Sequence, residues 1–173
     1  MKRAVWINKS NNQLCVTIPK NSGIKEGDVV GIEKQKIKRI VYSYVTGDLF
    51  HYGHVRMLKK LKEIGNFFIV VGLHSDEDSC SFKRKPIMTM EERKEVLESC
   101  IYIDEVVLNA PIITTDEVLD KYKCKYAAGY ICKCGNKIHD SQFTNVLNRF
   151  IELPYTKEIS TTEIIRRCKI ENK

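Results

Sequence analysis

Residues 40–54 have the sequence IVYSYVTGDLFHYGH, an apolar stretch followed by a polar turn that carries two histidines. The first six residues are mostly β-branched or aromatic, which predicts a buried strand. Apolar residues then recur at the spacing of a helix. These positions are Val55, Leu58, Leu61 and Ile64. The stretch therefore predicts a strand that passes through a short turn into an amphipathic helix.

His51 and His54 lie at the predicted start of that helix, three residues apart. Positions spaced by three face the same side of a helix, so the two rings can converge on one ligand. The free N–H groups and the positive end of the helix dipole favour an anion there, and Gly53 lets the backbone approach it closely. The two could also be unrelated surface histidines. Because the chain has only four histidines, this context favours a phosphate site.

Strands and helices alternate from residue 37 onward. Residues 66–73 form an uninterrupted apolar run, typical of a strand that is covered on both faces. Thr89 and Glu92 form a capping box before the next helix. Further strands are predicted at 104–108, 125–128 and 150–153, and helices at 90–100, 116–121, 141–148 and 164–168. This alternation predicts an α/β fold, a doubly wound parallel sheet with ligands bound beyond the carboxyl ends of its strands.

Residues 1–36 form a separate segment of predicted short strands, at 4–7, 14–19 and 29–32. A piece this small cannot bury a sufficient core alone, so it must pack on the rest of the protein or on another chain. Residues 13–19 and 23–28 resemble the β-hairpin of AbrB-like and SpoVT-like proteins. The resemblance implies a homodimer. It leaves DNA binding open, but the nearby lysines are offset by acidic residues, so a dimerising or packing role is favoured.

Composition narrows the classes of protein. The chain has 173 residues, enough for one ordinary domain with a small appendage, and we expect no membrane insertion because no long apolar run is present. The net charge of +7 suits an anionic ligand, although lysines also serve solubility. Seven scattered cysteines indicate reduced thiols and a cytoplasmic protein. Cys132 and Cys134, with Cys124 and His139, have a poor spacing for zinc, so no metal site is predicted.

Residues 48–54 (DLFHYGH) resemble the HxGH signature of cytidylyltransferases, and residues 158–162 (EISTT) resemble their second signature. Matching segments lie between them at 82–83, 90–93 and 106–111. The similarity runs from residue 40 to residue 167, with the intervening segments as in the choline-phosphate and ethanolamine-phosphate enzymes. The resemblance also includes glycerol-3-phosphate cytidylyltransferases. It implies a Rossmann-like nucleotidyltransferase domain at 37–173, after the hairpin segment at 1–36.

This resemblance implies the transfer of CMP from CTP to a small phosphate monoester, phosphoethanolamine-like or glycerol 3-phosphate-like, with release of pyrophosphate. Such a reaction needs positioning and electrostatic stabilisation rather than a covalent nucleophile. His51 and His54 would donate to the α-phosphate and bridging oxygens, and Lys83 would hold the nucleotide and the acceptor phosphate together. We expect Mg²⁺ to arrive with the triphosphate, since no dedicated carboxylate cage is visible.

The resemblance also assigns binding residues. Nucleotide contacts are expected from the turn before the first helix and from the second signature, at Thr46, Gly47, Asp48, Phe50, Gly53, Ser160, Thr161 and Thr162. Ser160 and Glu163 form a capping box as well, so a plain helix start is the simpler alternative there. Arg93 is expected to bind substrate, or equally to make an ion pair on a helix surface.

The chain departs from the family pattern near the expected nucleotide. Tyr130 follows Gly129 where relatives have a loop with His and Asp, and Tyr155 takes the place of an arginine. Glu158 replaces a glycine, and its carboxylate could repel phosphate unless it faces away. Ile112 replaces an aromatic residue, which makes quaternary choline a poorer substrate. These departures leave an alternative open, a non-catalytic nucleotide-sensing or DNA-binding regulator with the same fold.

Overall fold

The computed structural model describes residues 39–130 and 141–170, the backbone of 5–8 and 13–16, and the single positions 23 and 25. The chain divides into two compact units, Met1–Lys36 and Ile37–Lys173. In the first unit, β1 (Val5–Asn8) pairs antiparallel with β2 (Gln13–Val16). The strand predicted at 29–32 lies outside the described residues, and the AbrB-like resemblance stays a prediction.

The second unit contains a parallel sheet of five strands. They are β3 (Ile40–Val45), β4 (Phe68–Leu73), β5 (Glu105–Leu108), β6 (Tyr126–Gly129) and β7 (Phe150–Glu152). Their order is β5-β4-β3-β6-β7. The chain builds outward from β3 in one direction and then returns to build in the other, so the carboxyl ends of β3 and β6 flank the switch point where ligands bind in such folds. The predicted fold class is confirmed.

Helices cover both faces of this sheet. They are α1 (Tyr52–Gly65), α2 (Asp76–Phe82), α3 (Met90–Glu98), α4 (Asp116–Lys121), a 3-10 helix (Thr144–Arg149) and α5 (Thr161–Ile170). On one face, side chains of α1 and α3 such as Leu58 and Leu97 join Val41 and Ile69 in a buried cluster. On the other, α4 and the 3-10 helix pack Leu119 and Val146 against Tyr42 and Val70. The alternation of neighbouring strand residues between these clusters gives the doubly wound arrangement.

Two elements differ from the sequence-based expectation. The helix predicted at 141–148 is a 3-10 helix over Thr144–Arg149, with a kink at Val146, where φ is −129°. Helix α2 was not predicted, although Ser75 caps it by accepting the N–H of Asp78 at 2.9 Å. The capping box of Thr89 and Glu92 is confirmed at the start of α3.

The described residues include four cysteines without a disulfide bond. Cys80, Cys100, Cys124 and Cys168 are free thiols. The other cysteines considered for zinc, and His139, lie outside the described residues. None of the helices in the described ranges has the length and apolar composition needed to cross a membrane.

Candidate active site

His51 and His54 form a reciprocal capping box at the N-terminus of helix α1. His51 is the N-cap, and its Nδ1 accepts the N–H of Gly53 at 3.1 Å. The N–H of His51 in turn donates to Nδ1 of His54 at 3.2 Å. A ring nitrogen that accepts a hydrogen bond holds no proton, so each neutral imidazole carries its proton on Nε2. Both rings therefore present an Nε2–H donor.

Both rings are held in the neutral form. Burial lowers the pKa of His51. Burial, followed by the charges of His51 and Lys83, lowers the pKa of His54 to about 3. The ring centroids are 4.0 Å apart, a separation that suits two neutral rings better than two cations. The predicted convergence of the rings is confirmed, and Phe50 stacks on His54 at 5.1 Å between centroids.

Gly53 leaves the space that this arrangement needs. A Cβ atom at this position would lie 2.9 Å from Cε1 of His51 and 2.9 Å from Cγ2 of Ile159. Gly47, in the turn after β3, has a φ of +73°, which a side chain rarely tolerates. Glycine is thus required both to make the turn and to pack the histidine cap against the segment before α5.

Asp48 joins three segments around the turn. It is only 4% exposed, and its carboxylate accepts from Arg84 at 2.9 Å and from the N–H groups of Ile87 at 3.0 Å and Met88 at 3.1 Å. Its carbonyl accepts the hydroxyl of Thr161 at 2.9 Å. These bonds fix the loop after α2 and the start of α5 to the histidine turn. Asp48 is therefore a positioning residue, and its predicted contact with nucleotide stays a prediction.

The predicted cations have different surroundings. Lys83 is the C-cap of α2. Burial is the main cause of the lowered pKa of His54 and of His74, and the charge of Lys83 lowers both further, so Lys83 lies within electrostatic range of His54. Arg93 is fully buried. Its guanidinium donates to the carbonyls of Thr46 and His74 and to the carboxylate of Asp76. The structure gives Arg93 a positioning role at the ends of β3 and β4, instead of a pair on a helix surface. Its predicted contact with substrate stays a prediction.

The second signature begins α5 beside the histidines. Ser160 caps the helix by accepting the N–H of Glu163 at 3.1 Å, which agrees with the predicted helix start. The carboxylate of Glu163 bonds Arg166 at 2.7 Å. Glu158, which could have repelled a phosphate, lies 3.9 Å from Arg56 Nη1. A cation thus stands next to this carboxylate.

Two adjoining clefts open at the switch point. One is lined by both histidines, Gly53, Ser160 and Thr161, together with Tyr130 and Tyr155. The other is lined by Ser43, Tyr44, Thr46 and Gln142. His54, Met57 and Tyr130 line both. His54, whose ring donor is Nε2–H, thus lies between the two clefts. This arrangement suits two substrates that react with each other.

Residues 46–167 match the family model described as cytidylyltransferase-like. The chain belongs to the cytidylyltransferase-like family. The matched part of the domain runs from the turn after β3 into α5 and so includes the histidine pair and both signatures.

Named relatives and a solved structure agree with this membership. The chain is 36% identical to "Choline-phosphate cytidylyltransferase 2" of Arabidopsis thaliana over 82% of this chain and 49% of that protein. It is 32% identical to "Ethanolamine-phosphate cytidylyltransferase" of Mus musculus over 88% of this chain and 38% of that protein. The chain thus spans half or less of the length of these relatives. A lipopolysaccharide core biosynthesis protein from Thermoplasma volcanium shares the fold, with a TM-score of 0.55 and 16% identity over 69% of this chain and 98% of that chain.

The cytidylyltransferase-like site contains some predicted residues and adds others. Six of the predicted residues line neither cleft within the described part of the chain. They are Gly47, Asp48, Phe50, Lys83, Arg93 and Thr162. Sequence reasoning missed Ser43, Tyr44 and Gln142 and treated Tyr130 and Tyr155 only as departures. The rule that ligands lie beyond the carboxyl ends of β3 and β6 could have drawn attention to Tyr44 and Tyr130.

Proposed function

We propose that this protein transfers the cytidylyl group of CTP to a small phosphate monoester and releases pyrophosphate. The observation that carries the proposal is the pair of neutral imidazoles, each with an Nε2–H donor: both rings line the first cleft, and His54 also lines the second. Family membership and relatives named as choline-phosphate and ethanolamine-phosphate cytidylyltransferases support it.

In the proposed reaction, a phosphate oxygen of the acceptor attacks the α-phosphorus of CTP. The new P–O bond forms as the bond to the β-phosphate breaks, and pyrophosphate leaves with the electron pair. Negative charge grows on the nonbridging and leaving oxygens. The Nε2–H groups of His51 and His54 donate to these oxygens, in a partly buried site where such donors act strongly.

The remaining charges position the two anions. We assign the β- and γ-phosphates to the start of α5, where the N–H groups of Ser160, Thr161 and Thr162 and the hydroxyls of Ser160 and Thr162 lie at the positive end of the helix dipole, while the Thr161 hydroxyl donates to the Asp48 carbonyl. Lys83 lies outside the described lining of both clefts, and we propose that its ammonium reaches the acceptor phosphate and the nucleotide when they bind. Mg²⁺ enters as part of the substrate, as MgCTP.

We assign the acceptor to the second cleft. Its described lining supplies hydroxyl groups and an amide from Ser43, Tyr44, Thr46 and Gln142, and the aromatic ring of Phe143. These groups suit a small polar headgroup, which supports a phosphoethanolamine-like or glycerol 3-phosphate-like acceptor. We also propose that the protein acts as a homodimer in the cytoplasm, on the basis of the AbrB-like segment and the cysteines.

Pyrophosphate release, measured for each nucleoside triphosphate against a panel of phosphomonoesters, tests the proposed function. We expect release with MgCTP and at least one small acceptor, together with an equal amount of a CDP-linked product. The matched control is His54→Asn, which should release far less. Inactivity with every pair, combined with salt-sensitive binding to duplex DNA, would instead identify a regulator that keeps the fold.

A further inference from the structure

Two tyrosines form an aromatic pair in the histidine cleft. Tyr130 directly follows β6, and Tyr155 lies between β7 and α5. Their ring centroids are 4.8 Å apart with an angle of 50° between the planes. Because β6 and β7 are neighbouring parallel strands, the residues that follow them emerge at the same edge of the sheet. The topology therefore brings these two rings together from loops that are distant in sequence.

The pair is accessible to a ligand. Tyr130 is 39% exposed and Tyr155 is 49% exposed, and both line the cleft that holds His51 and Ser160. Exposed tyrosine rings within contact distance of each other present flat apolar surface at low cost in side-chain entropy. The cleft thus combines groups that suit phosphates with an aromatic surface.

We propose that Tyr130 and Tyr155 bind the nucleobase of the nucleotide by stacking. This inference rests on the proposed function and adds the mode of base binding and the two residues that carry it. Imidazole N–H donors and the start of α5 hold the phosphates, and the aromatic pair lies in the same cleft, so one nucleotide contacts both. Stacking contacts the face of the base rather than its edge, so the rings and not their hydroxyl groups carry the affinity.

Calorimetric titration of MgCTP into the wild-type protein and three variants tests this inference. Tyr155→Ala and Tyr130→Ala should each raise the Kd for MgCTP by about tenfold or more, because each removes one stacking surface. The matched control, Tyr155→Phe, keeps the ring and should stay within about twofold of the wild type. Magnesium tripolyphosphate, which lacks a base, should bind all four proteins equally.

The outcomes separate this inference from the proposed function. Unchanged MgCTP affinity in both alanine variants would overturn stacking while leaving cytidylyl transfer intact. An equal loss of tripolyphosphate affinity would also overturn it, because the rings would then act on the phosphates. A wild-type protein that binds neither magnesium tripolyphosphate nor MgCTP would contradict both.

Discussion

Mild acid should destabilise the domain through three histidines whose pKa is lowered by full or partial burial. In the folded protein the pKa of His54 is lowered from its ordinary value of 6.5 to about 3. As the pH falls below 6.5, the unfolded chain binds this proton and the folded chain does not, so stability that is present above that pH is lost. From pH 7 to pH 5 the loss from His54 alone is about 2 kcal/mol, and any folded pKa below about 4 gives nearly the same figure. Burial lowers the pKa of His51 and His74, so both add in the same direction.

Urea unfolding at pH 7, 6 and 5 measures this loss. The range from pH 7 to pH 5 lies above the titration of Glu117 and Glu163. Hydrogen bonds lower the pKa of both carboxyl groups below the ordinary value of 4.5. His54→Asn provides the matched comparison, since the Asn oxygen can still accept the N–H of His51 but does not titrate. We expect the wild type to lose about 2 kcal/mol more than the variant between pH 7 and pH 5. Equal losses in the two proteins would refute a His54 that is held neutral in the folded protein.

Three further substitutions test the framework around the histidines. Gly53→Ala forces a Cβ atom to within 2.9 Å of Cε1 of His51, so we expect a loss of about 1–3 kcal/mol in urea unfolding and weaker pyrophosphate release. Wild-type values for both would show that the cap tolerates a side chain. Asp48→Asn keeps one oxygen for the N–H groups of Ile87 and Met88 but places an NH2 donor against Arg84 and removes the buried negative charge, so it should cost about 1–3 kcal/mol, measured by the same unfolding experiment. A change below about 0.5 kcal/mol would contradict its role in joining the loops. In Arg93→Lys, a single ammonium cannot reach both the carbonyl groups and Asp76, so we expect the stability and kcat to fall. Wild-type stability and kcat in this variant would argue against positioning by the guanidinium.

Local signals made the core of the site predictable from sequence. A β-branched strand, a glycine turn and a helical apolar pattern specify where His51 and His54 lie, because each signal depends on neighbouring residues. The spacing of three was enough to predict that their rings converge. The reciprocal cap was not predictable, since the orientation of the rings depends on packing of Gly53 against Ile159, which is far away in the chain.

The parts that were missed depend on tertiary packing or on weak local patterns. Helix α2 has seven residues and no apolar period, so only its cap at Ser75 marked it. The 3-10 helix bends at Val146, which is fully buried in the cluster under β6, so packing overrode the helical pattern. The contact between Tyr130 and Tyr155 joins two loops and depends on strand order. Charge pairing of Glu158 with Arg56 likewise needs the positions of two separate elements.

The role of the imidazole pair is tested most directly in the variant His54→Asn. The measurement is the single-turnover rate of cytidylyl transfer with MgCTP and the best acceptor from the panel. Asparagine preserves an acceptor for the N–H of His51 and removes the Nε2–H donor from the wall between the clefts. We predict a rate about a hundredfold or more below wild type, with the helix content of the protein unchanged. A variant that transfers at the wild-type rate would contradict the assignment of these histidines to the reacting phosphate.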